Sequence, residues 1–237
     1  MKKNTGNNPA SRICVSIAEK NQAAAIAAAR CIAELADVIE IRLDYMADPS
    51  VAPFLEALSK PLLFTNRPNW EGGNFQGDEE TRIALLEEAC RRGAAYVDLE
   101  LRADAKAHEK VLDAARKSRT RVIVSWHDFS GTPNEEELAD IFEKQHRSGG
   151  QIGKIVTLAR TFQDVLRVLN LQLLAAQRGF PLIAFCMGEQ GMISRVATVS
   201  LGGYMTYAAP DSGVATAPGQ LPVGRLRTLL AGLNNAI

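Results

Sequence analysis

The chain has 237 residues, 46% of them hydrophobic, and can therefore bury a large core as one domain or as two smaller ones. Its 27 basic and 27 acidic residues cancel. A protein without net positive charge has no overall field that gathers nucleic acid or anionic lipid, so a small molecule is the expected partner.

The start of the chain is polar and carries no apolar segment, which argues against a secretory signal, and no apolar run reaches membrane-spanning length. The four cysteines are scattered without the spacing of a zinc site, so we expect reduced, mostly buried thiols. These features predict a soluble cytoplasmic protein with a flexible segment at residues 1–11 and one domain over residues 12–237.

Short apolar strands alternate with helices along the chain. Strands are predicted at residues 13–17, 38–44, 61–67, 96–101, 122–128, 152–158, 181–186 and 204–207. Helices are predicted at about residues 20–36, 48–59, 78–92, 104–117, 132–149, 161–179 and 222–233. Thr132 is the expected N-cap of the fifth of these helices, with Pro133 at the first helical position.

This alternation, in a chain of this length, predicts an α/β fold: a single-domain (β/α)8 TIM barrel. An open, doubly wound sheet is the alternative. Such sheets usually carry a glycine-rich phosphate loop after a strand, and neither G-x-G-x-x-G nor G-x-x-x-x-G-K-[ST] follows any predicted strand. In a barrel, functional residues collect where strands end, and the candidates there are Glu40, Arg42, Asp44, Arg67, Glu71, Glu100, His127 and Asp128.

His127 differs from the other two histidines of the chain. It follows the β-branched run 122–124 at a strand exit, whereas His108 and His146 lie on predicted helices among charged residues. Glu40 and Arg42 are two residues apart and share one face of their strand. The sequence leaves open whether these two bind a ligand or form only an internal ion pair.

Lys154 lies inside an apolar predicted strand, where an ammonium group is costly unless it is paired or used. It also lies early in that strand, so a place at the solvent-facing bottom of the barrel stays open. A lysine and a histidine among arginines suggest imine chemistry on a carbonyl compound that carries a carboxylate or several hydroxyls. Lysine attacks only as the neutral amine, which at an ordinary pKa of about 10.4 is about one molecule in a thousand near neutral pH.

The candidate residues fall in motifs that resemble those of a known family. The motifs are residues 40–44, 64–67 with 71–73, 125–129 with 132–133, 154–155, 193–195 and 217–220. In this order and spacing they resemble type I 3-dehydroquinate dehydratases, the Schiff-base-forming enzymes of the shikimate pathway of aromatic amino acid biosynthesis. The resemblance covers nearly the whole chain after residue 11.

The resemblance implies dehydration of 3-dehydroquinate to 3-dehydroshikimate by a homodimer, with no cofactor and no metal. It implies that Lys154 forms an imine with the substrate ketone, that His127 acts as base and then as acid, and that Glu71 orients the histidine. The implied substrate-binding residues are Glu40, Arg42 and Arg67 at the ring hydroxyls, Arg195 at the carboxylate, and Thr216 and Gln220 in the loop that closes over the site.

Two features depart from the family pattern. Thr216 stands where the family commonly has serine, and the polar start is too short for the β-hairpin that closes the bottom of many members. Two other functions remain as alternatives: a noncatalytic sensor of sugar acids, and a Schiff-base aldolase of the same fold. Retention of Lys154 and His127 argues against the sensor, and the lack of a glycine-rich phosphate loop near the last two strands argues against the aldolase.

Overall fold

The computed structural model describes residues 12–212 and 216–234, and the predicted flexible segment at residues 1–11 lies outside this part of the chain. The described residues form eight strands: β1 (Ile13–Ile17), β2 (Val38–Arg42), β3 (Leu62–Thr65), β4 (Tyr96–Glu100), β5 (Arg121–Asp128), β6 (Ile152–Leu158), β7 (Leu182–Met187) and β8 (Thr206–Ala208). They also form eight α-helices: α1 (Gln22–Ile32), α2 (Ala52–Ala57), α3 (Glu79–Arg91), α4 (Ala105–Arg116), α5 (Glu135–Arg147), α6 (Phe162–Arg178), α7 (Met192–Ser200) and α8 (Val223–Asn234).

The strands form one parallel sheet in the order β7-β6-β5-β4-β3-β2-β1-β8. Its two outer strands approach each other, because the backbone N–H of Tyr204, just before β8, donates to the carbonyl oxygen of Leu182 in β7 at 2.8 Å. The sheet therefore curls into a nearly closed barrel with a helix after each strand. The predicted (β/α)8 fold is confirmed.

Strand side chains alternate between the inside of the barrel and the layer beneath the helices. The inner set includes Tyr96 of β4, whose hydroxyl lies 2.8 Å from that of Tyr204, across the interior from a strand that is not its neighbour. The outer sets pack between sheet and helices, with residues such as Val97, Leu99 and Ile155. Each strand is therefore buried on both faces, as its β-branched composition predicts.

The parallel register brings the ends of the central strands to one level. Ser125 of β5 lies opposite Glu100 of β4 and opposite Lys154 of β6. Thr65 of β3 lies opposite Asp98 of β4. Polar side chains from four consecutive strands therefore meet near one end of the interior.

The predicted start of α5 is wrong. Asn134, not Thr132, is the N-cap: its side chain accepts from the backbone N–H of Glu137 at 2.9 Å, and Glu137 completes a capping box. The hydroxyl of Thr132 donates instead to the carbonyl oxygen of Leu158 at 2.9 Å, and so ties this loop to β6. Pro133 consequently precedes the helix.

Two larger differences from the predictions concern α2 and α7. The helix expected from residue 48 begins at Ala52, because Pro53 fits the first turn of α2 but would break a helix that had already begun. No helix was predicted at residues 192–200, where α7 lies. The buried face of α7 includes Ser194, Arg195 and Thr198, so the apolar periodicity that signals a helix is weak there.

The structure also bears on the predictions about the thiols and about membrane-spanning segments. Cys14, Cys90 and Cys186 are buried free thiols, and Cys31 is free and exposed. Within residues 12–212 and 216–234, no helix is long and apolar enough to cross a membrane.

Candidate active site

One cavity opens at the carboxyl ends of the strands. Its wall combines charged and polar side chains with aromatic and apolar ones, a combination typical of small-molecule sites. The nine residues to which the family resemblance gives a role all line it: Glu40, Arg42, Arg67, Glu71, His127, Lys154, Arg195, Thr216 and Gln220. The other candidates at strand ends, Asp44, Glu100 and Asp128, are not among its lining residues.

Lys154 points into the barrel and is 4% exposed, so it does not lie at a solvent-facing bottom. Its Nζ atom lies 3.0 Å from Oδ2 of Asp98 in β4. The same atom lies 4.3 Å from the centroid of the Tyr207 ring, in a cation–π contact. The ammonium group is thus held in the interior by one carboxylate and one aromatic face.

Asp98 links Lys154 to Arg67. Its other oxygen, Oδ1, lies 2.8 Å from Nη2 of Arg67 and accepts from the hydroxyl of Ser125 at 2.6 Å. Burial opposes ionisation of Asp98, but the charges of Arg67 and Lys154 outweigh it and hold the pKa of this carboxyl below its usual range. Asp98 is therefore a carboxylate shared by two cations.

Arg67 is fixed from a second side by Glu100. Its Nη1 donates to Oε1 of Glu100 at 2.6 Å, and Arg82 of α3 donates to Oε2 of the same residue at 2.5 Å. Burial raises the pKa of Glu100 to about 7, with the charges of Asp98 and Glu71 adding to this and those of the two arginines opposing it. The guanidinium of Arg67 is consequently held rigidly at the cavity wall.

His127 lies at the end of β5, and its Nδ1 atom lies 2.9 Å from Oε1 of Glu71. Because a carboxylate only accepts hydrogen bonds, we assign the ring proton to Nδ1, which leaves the lone pair on Nε2. Burial, together with the charges of Arg67 and Lys154, holds the pKa of His127 well below its usual value. A neutral imidazole with a free acceptor nitrogen is suited to act as a general base.

Glu40 and Arg42 do not form the internal ion pair that the sequence left open. Glu40 accepts from the hydroxyls of Ser16 and Thr65, the latter at 2.8 Å. Arg42 instead donates two hydrogen bonds to Asp44, at 2.8 and 2.7 Å. Both side chains therefore present fixed polar groups to the cavity from one strand.

Arg195 of α7 supplies a buried positive charge on the far wall. It is 1% exposed, and its Nη2 donates to the carbonyl oxygen of Pro218 at 3.2 Å. Among the described residues, no carboxylate lies within 4.0 Å of it and its Nε has no hydrogen-bond partner. Burial lowers the pKa of Arg195 to about 10. A buried cation without a carboxylate of its own is suited to receive an anionic group of a ligand.

Thr216 and Gln220 lie together in the loop after β8. The side-chain oxygen of Gln220 accepts from the backbone N–H of Thr216 at 2.7 Å and from its hydroxyl at 3.2 Å. The threonine hydroxyl thus takes part in a contact within this loop, and both residues line the cavity.

The comparisons with known proteins agree with this arrangement. The family described as Type I 3-dehydroquinase matches residues 13–236. The chain belongs to this family. It is 46% identical to the 3-dehydroquinate dehydratase of Desulfotalea psychrophila, over 93% of this chain and 97% of that protein. The resemblance seen in the sequence motifs is thereby confirmed.

Two solved structures are similar throughout. The type I 3-dehydroquinate dehydratase of Clostridium difficile, with covalent modified comenic acid, has a TM-score of 0.86 and 28% identity, covering 96% of this chain and 93% of that chain. The 3-dehydroquinate dehydratase of Geobacillus kaustophilus has a TM-score of 0.84 and 27% identity, covering 96% and 92%. The likeness therefore extends over the whole barrel.

Sequence reasoning missed or gave little weight to three residues of the site. Asp98 carried a signal, a charge within a buried strand, but its pairing with Lys154 depends on the register of three strands. Tyr207 carried no signal of a functional role in the sequence, since an aromatic residue in a strand is ordinarily part of the core. Arg102 also had none, because an arginine after a strand is ordinarily solvated; it donates to Glu71 at 2.9 and 3.0 Å.

Proposed function

We propose that this protein is a 3-dehydroquinate dehydratase that converts 3-dehydroquinate to 3-dehydroshikimate through an imine on Lys154. One observation carries the proposal most directly. A buried lysine and a neutral histidine held by a carboxylate line the same cavity, in a chain of the type I 3-dehydroquinase family. A hydro-lyase of this kind forms the imine, abstracts a proton and expels water at one site.

Lys154 would supply the nucleophile. Its Nζ forms a bond to the ketone carbon of the substrate, and loss of the ketone oxygen as water leaves a protonated imine. This step requires the neutral amine, so the ammonium paired with Asp98 must first give up a proton. The imine nitrogen then withdraws electrons and acidifies the C–H bond on the neighbouring carbon.

His127 would carry the proton through the elimination. Nε2 takes the proton from the carbon next to the imine, and the electron pair forms a double bond as the C–O bond one carbon further breaks. The leaving hydroxyl receives the proton from His127 and departs as water. Hydrolysis of the imine then releases the unsaturated ketone and restores Lys154, so that the net change is the loss of one water molecule.

The remaining polar groups of the cavity match the two ends of such a substrate. The buried cation of Arg195 faces the cavity with room for a carboxylate. Glu40, Arg42 and Arg67 present acceptors and donors that are already fixed by neighbouring side chains, which suits recognition of ring hydroxyls. Thr216 and Gln220 would close the loop over the bound molecule.

The predicted homodimer, the cytoplasmic location and the place in aromatic amino acid biosynthesis are part of this proposal. The family resemblance supports them. Light scattering from a size-exclusion column, at several protein concentrations, checks the oligomeric state; a mass of one chain at every concentration would contradict the dimer.

The test is direct assay with the purified full chain. Dehydration conjugates the new double bond with both the ketone and the carboxylate, so product formation is followed by ultraviolet absorbance and checked by mass spectrometry as a loss of water. Binding of 3-dehydroquinate without turnover would replace the proposal with the sensor. Cleavage of a phosphorylated ketose, with 3-dehydroquinate untouched, would replace it with the aldolase.

A further inference from the structure

Arg102 lies just after β4 and is not among the lining residues of the cavity. Its Nε and Nη2 atoms both donate to Oε2 of Glu71, at 3.0 and 2.9 Å. Nη2 also donates to the backbone carbonyl oxygen of His127, at 3.4 Å. One guanidinium therefore contacts both members of the histidine–carboxylate pair without touching the space where a substrate would bind.

The two oxygens of Glu71 have separate partners. Oε1 faces Nδ1 of His127, and Oε2 faces the guanidinium of Arg102. Rotation of the carboxylate about its last bond would break both contacts at once. Arg102 thus determines the direction in which Glu71 presents its other oxygen to the imidazole.

The side chain of Arg102 is itself held in place. It is 47% exposed, yet its guanidinium lies 5.6 Å from the centroid of the Trp70 ring, next to Glu71 in sequence. The aromatic ring covers part of the guanidinium and restricts its movement. The contact to Glu71 is therefore better fixed than an ordinary surface ion pair.

Several charged groups face Glu71. Burial raises the pKa of this carboxyl above its ordinary value. The charges of Arg67 and Arg102 oppose this increase, and that of Asp98 adds to it. Nη1 of Arg67 lies 3.8 Å from Glu71, while Arg67 makes closer contacts with Asp98 and Glu100, at 2.8 and 2.6 Å. Among the described residues, Glu71 is the one carboxylate that pairs with Arg102.

We propose that Arg102 is a positioning residue of the dehydratase: it fixes the carboxylate of Glu71 so that His127 keeps its proton on Nδ1 and its lone pair on Nε2. This inference rests on the proposed function. It adds a third member to the His127–Glu71 pair, placed outside the cavity, so its removal should affect the chemical step rather than substrate binding.

The test compares R102M and R102K with a matched control, R92M. Arg92, the C-cap of α3, is 48% exposed and pairs with Glu88 at 2.6 Å, which imitates the exposure and pairing of Arg102 away from the site. We expect kcat of R102M to fall about 3- to 30-fold at neutral pH with KM nearly unchanged, well short of the 10²–10⁴-fold that general acid–base catalysis contributes. R92M should retain wild-type values.

The pH profile separates positioning from a merely structural role. Loss of the cation makes both Glu71 and His127 hold their protons more strongly, so the acidic limb of kcat/KM should move to higher pH in R102M. R102K keeps the charge and should keep that limb near the wild-type position, with part of kcat recovered. Unchanged kcat and limb in R102M, or equal losses in both variants without movement of the limb, would overturn the inference.

Nitrogen NMR of the imidazole rings gives a readout that does not need activity. The chain has three histidines, so the signals of His127 can be assigned by substitution. The wild-type protein should show the Nδ1–H tautomer and R102M a mixture of tautomers. A single, unchanged tautomer in R102M would reject the role of Arg102 even if dehydration is confirmed, whereas inactivity of the wild-type protein would reject only the proposed function.

Discussion

The lower and upper parts of the barrel interior are formed by the same strands and are equally buried, yet they differ in chemistry. In each of five strands, an apolar or aromatic side chain in the lower part is followed two residues later, on the same face, by a polar side chain in the upper part. The pairs are Val38 and Glu40, Leu63 and Thr65, Tyr96 and Asp98, Ile123 and Ser125, and Ile152 and Lys154. The lower member is at most 8% exposed and the upper member at most 4%. Burial alone therefore does not separate the core from the site.

The two parts are held together by different interactions. The lower part is stabilised by apolar burial, about 1.5–3 kcal/mol for each large side chain. The upper part buries charges, which is costly, and offsets that cost only through mutual pairing, as in the chain Lys154–Asp98–Arg67–Glu100. A single change in the lower part should therefore weaken the fold alone, whereas one in the upper part should weaken the fold and also disturb the charge network that lines the cavity.

The largest expected effect is the loss of turnover in K154M. Removing the proposed nucleophile should lower kcat by about 10³-fold or more while 3-dehydroquinate still binds, because the groups proposed to bind the hydroxyls and the carboxylate remain. Steady-state kinetics measures kcat, and calorimetric titration measures the binding of 3-dehydroquinate. K144M is the control, since Lys144 is exposed and pairs with Asp140. Loss of binding together with turnover would contradict the assignment.

The next effect is on stability, in D98N. The change leaves Lys154 and Arg67 without the carboxylate they share, so the free energy of unfolding should fall by about 3 kcal/mol. K154M should lose less, because Asp98 keeps Arg67. Urea denaturation measures both, with D140N as an exposed control. Equal stability of D98N and the wild-type protein would show that the network is not needed for folding.

A change in the lower part should affect stability without affecting catalysis. I123V removes one buried methylene from a fully buried side chain, and should reduce the free energy of unfolding by about 1 kcal/mol. Its kcat should equal that of the wild-type protein, because Ile123 does not line the cavity. A fall in kcat without loss of stability would mean that the two parts of the interior are not separate.

The smallest effect concerns pH. Because burial holds the pKa of His127 below that of the unfolded chain, about 6.5, this residue binds fewer protons in the folded protein than in the unfolded chain below this pH, and its contribution to stability should fall as the pH decreases. H127Q should lose less stability than the wild-type protein between pH 7.5 and pH 5. Urea denaturation of both proteins at several pH values between about 7.5 and 5 measures this difference in stability. Parallel curves would show that His127 is not buried neutral.

Much of the fold could be predicted because its signals are local. The helices predicted at residues 78–92 and 161–179 are α3 and α6, which Asp78 and Thr161 cap, and Gly179 ends α6 in the left-handed conformation. The start of α5 could not be predicted, since Thr132 and Asn134 are both good caps and only contact with β6 decides between them. Helix α7 could not be predicted either, because polar residues on its buried face weaken the apolar periodicity that indicates a helix.

The site could be predicted where residue type and strand exit coincide. His127 and Glu40 are of this kind, and the family motifs added Arg195, Thr216 and Gln220. The pairing of Lys154 with Asp98 could not be predicted, because the two residues are 56 positions apart and meet only through the register of β4, β5 and β6. The role of Arg102 depends in the same way on a contact between two loops, those that follow the neighbouring strands β3 and β4.

The measurement that tests the central claim most directly is borohydride trapping with 3-dehydroquinate, followed by tryptic peptide mass spectrometry. Lys154 is the only lysine between Arg147 and Arg160. A reduced imine on it blocks cleavage there, so the adduct should appear on an intact peptide of residues 148–160. If a folded protein shows no adduct, or an adduct on another peptide, the imine on Lys154 is contradicted.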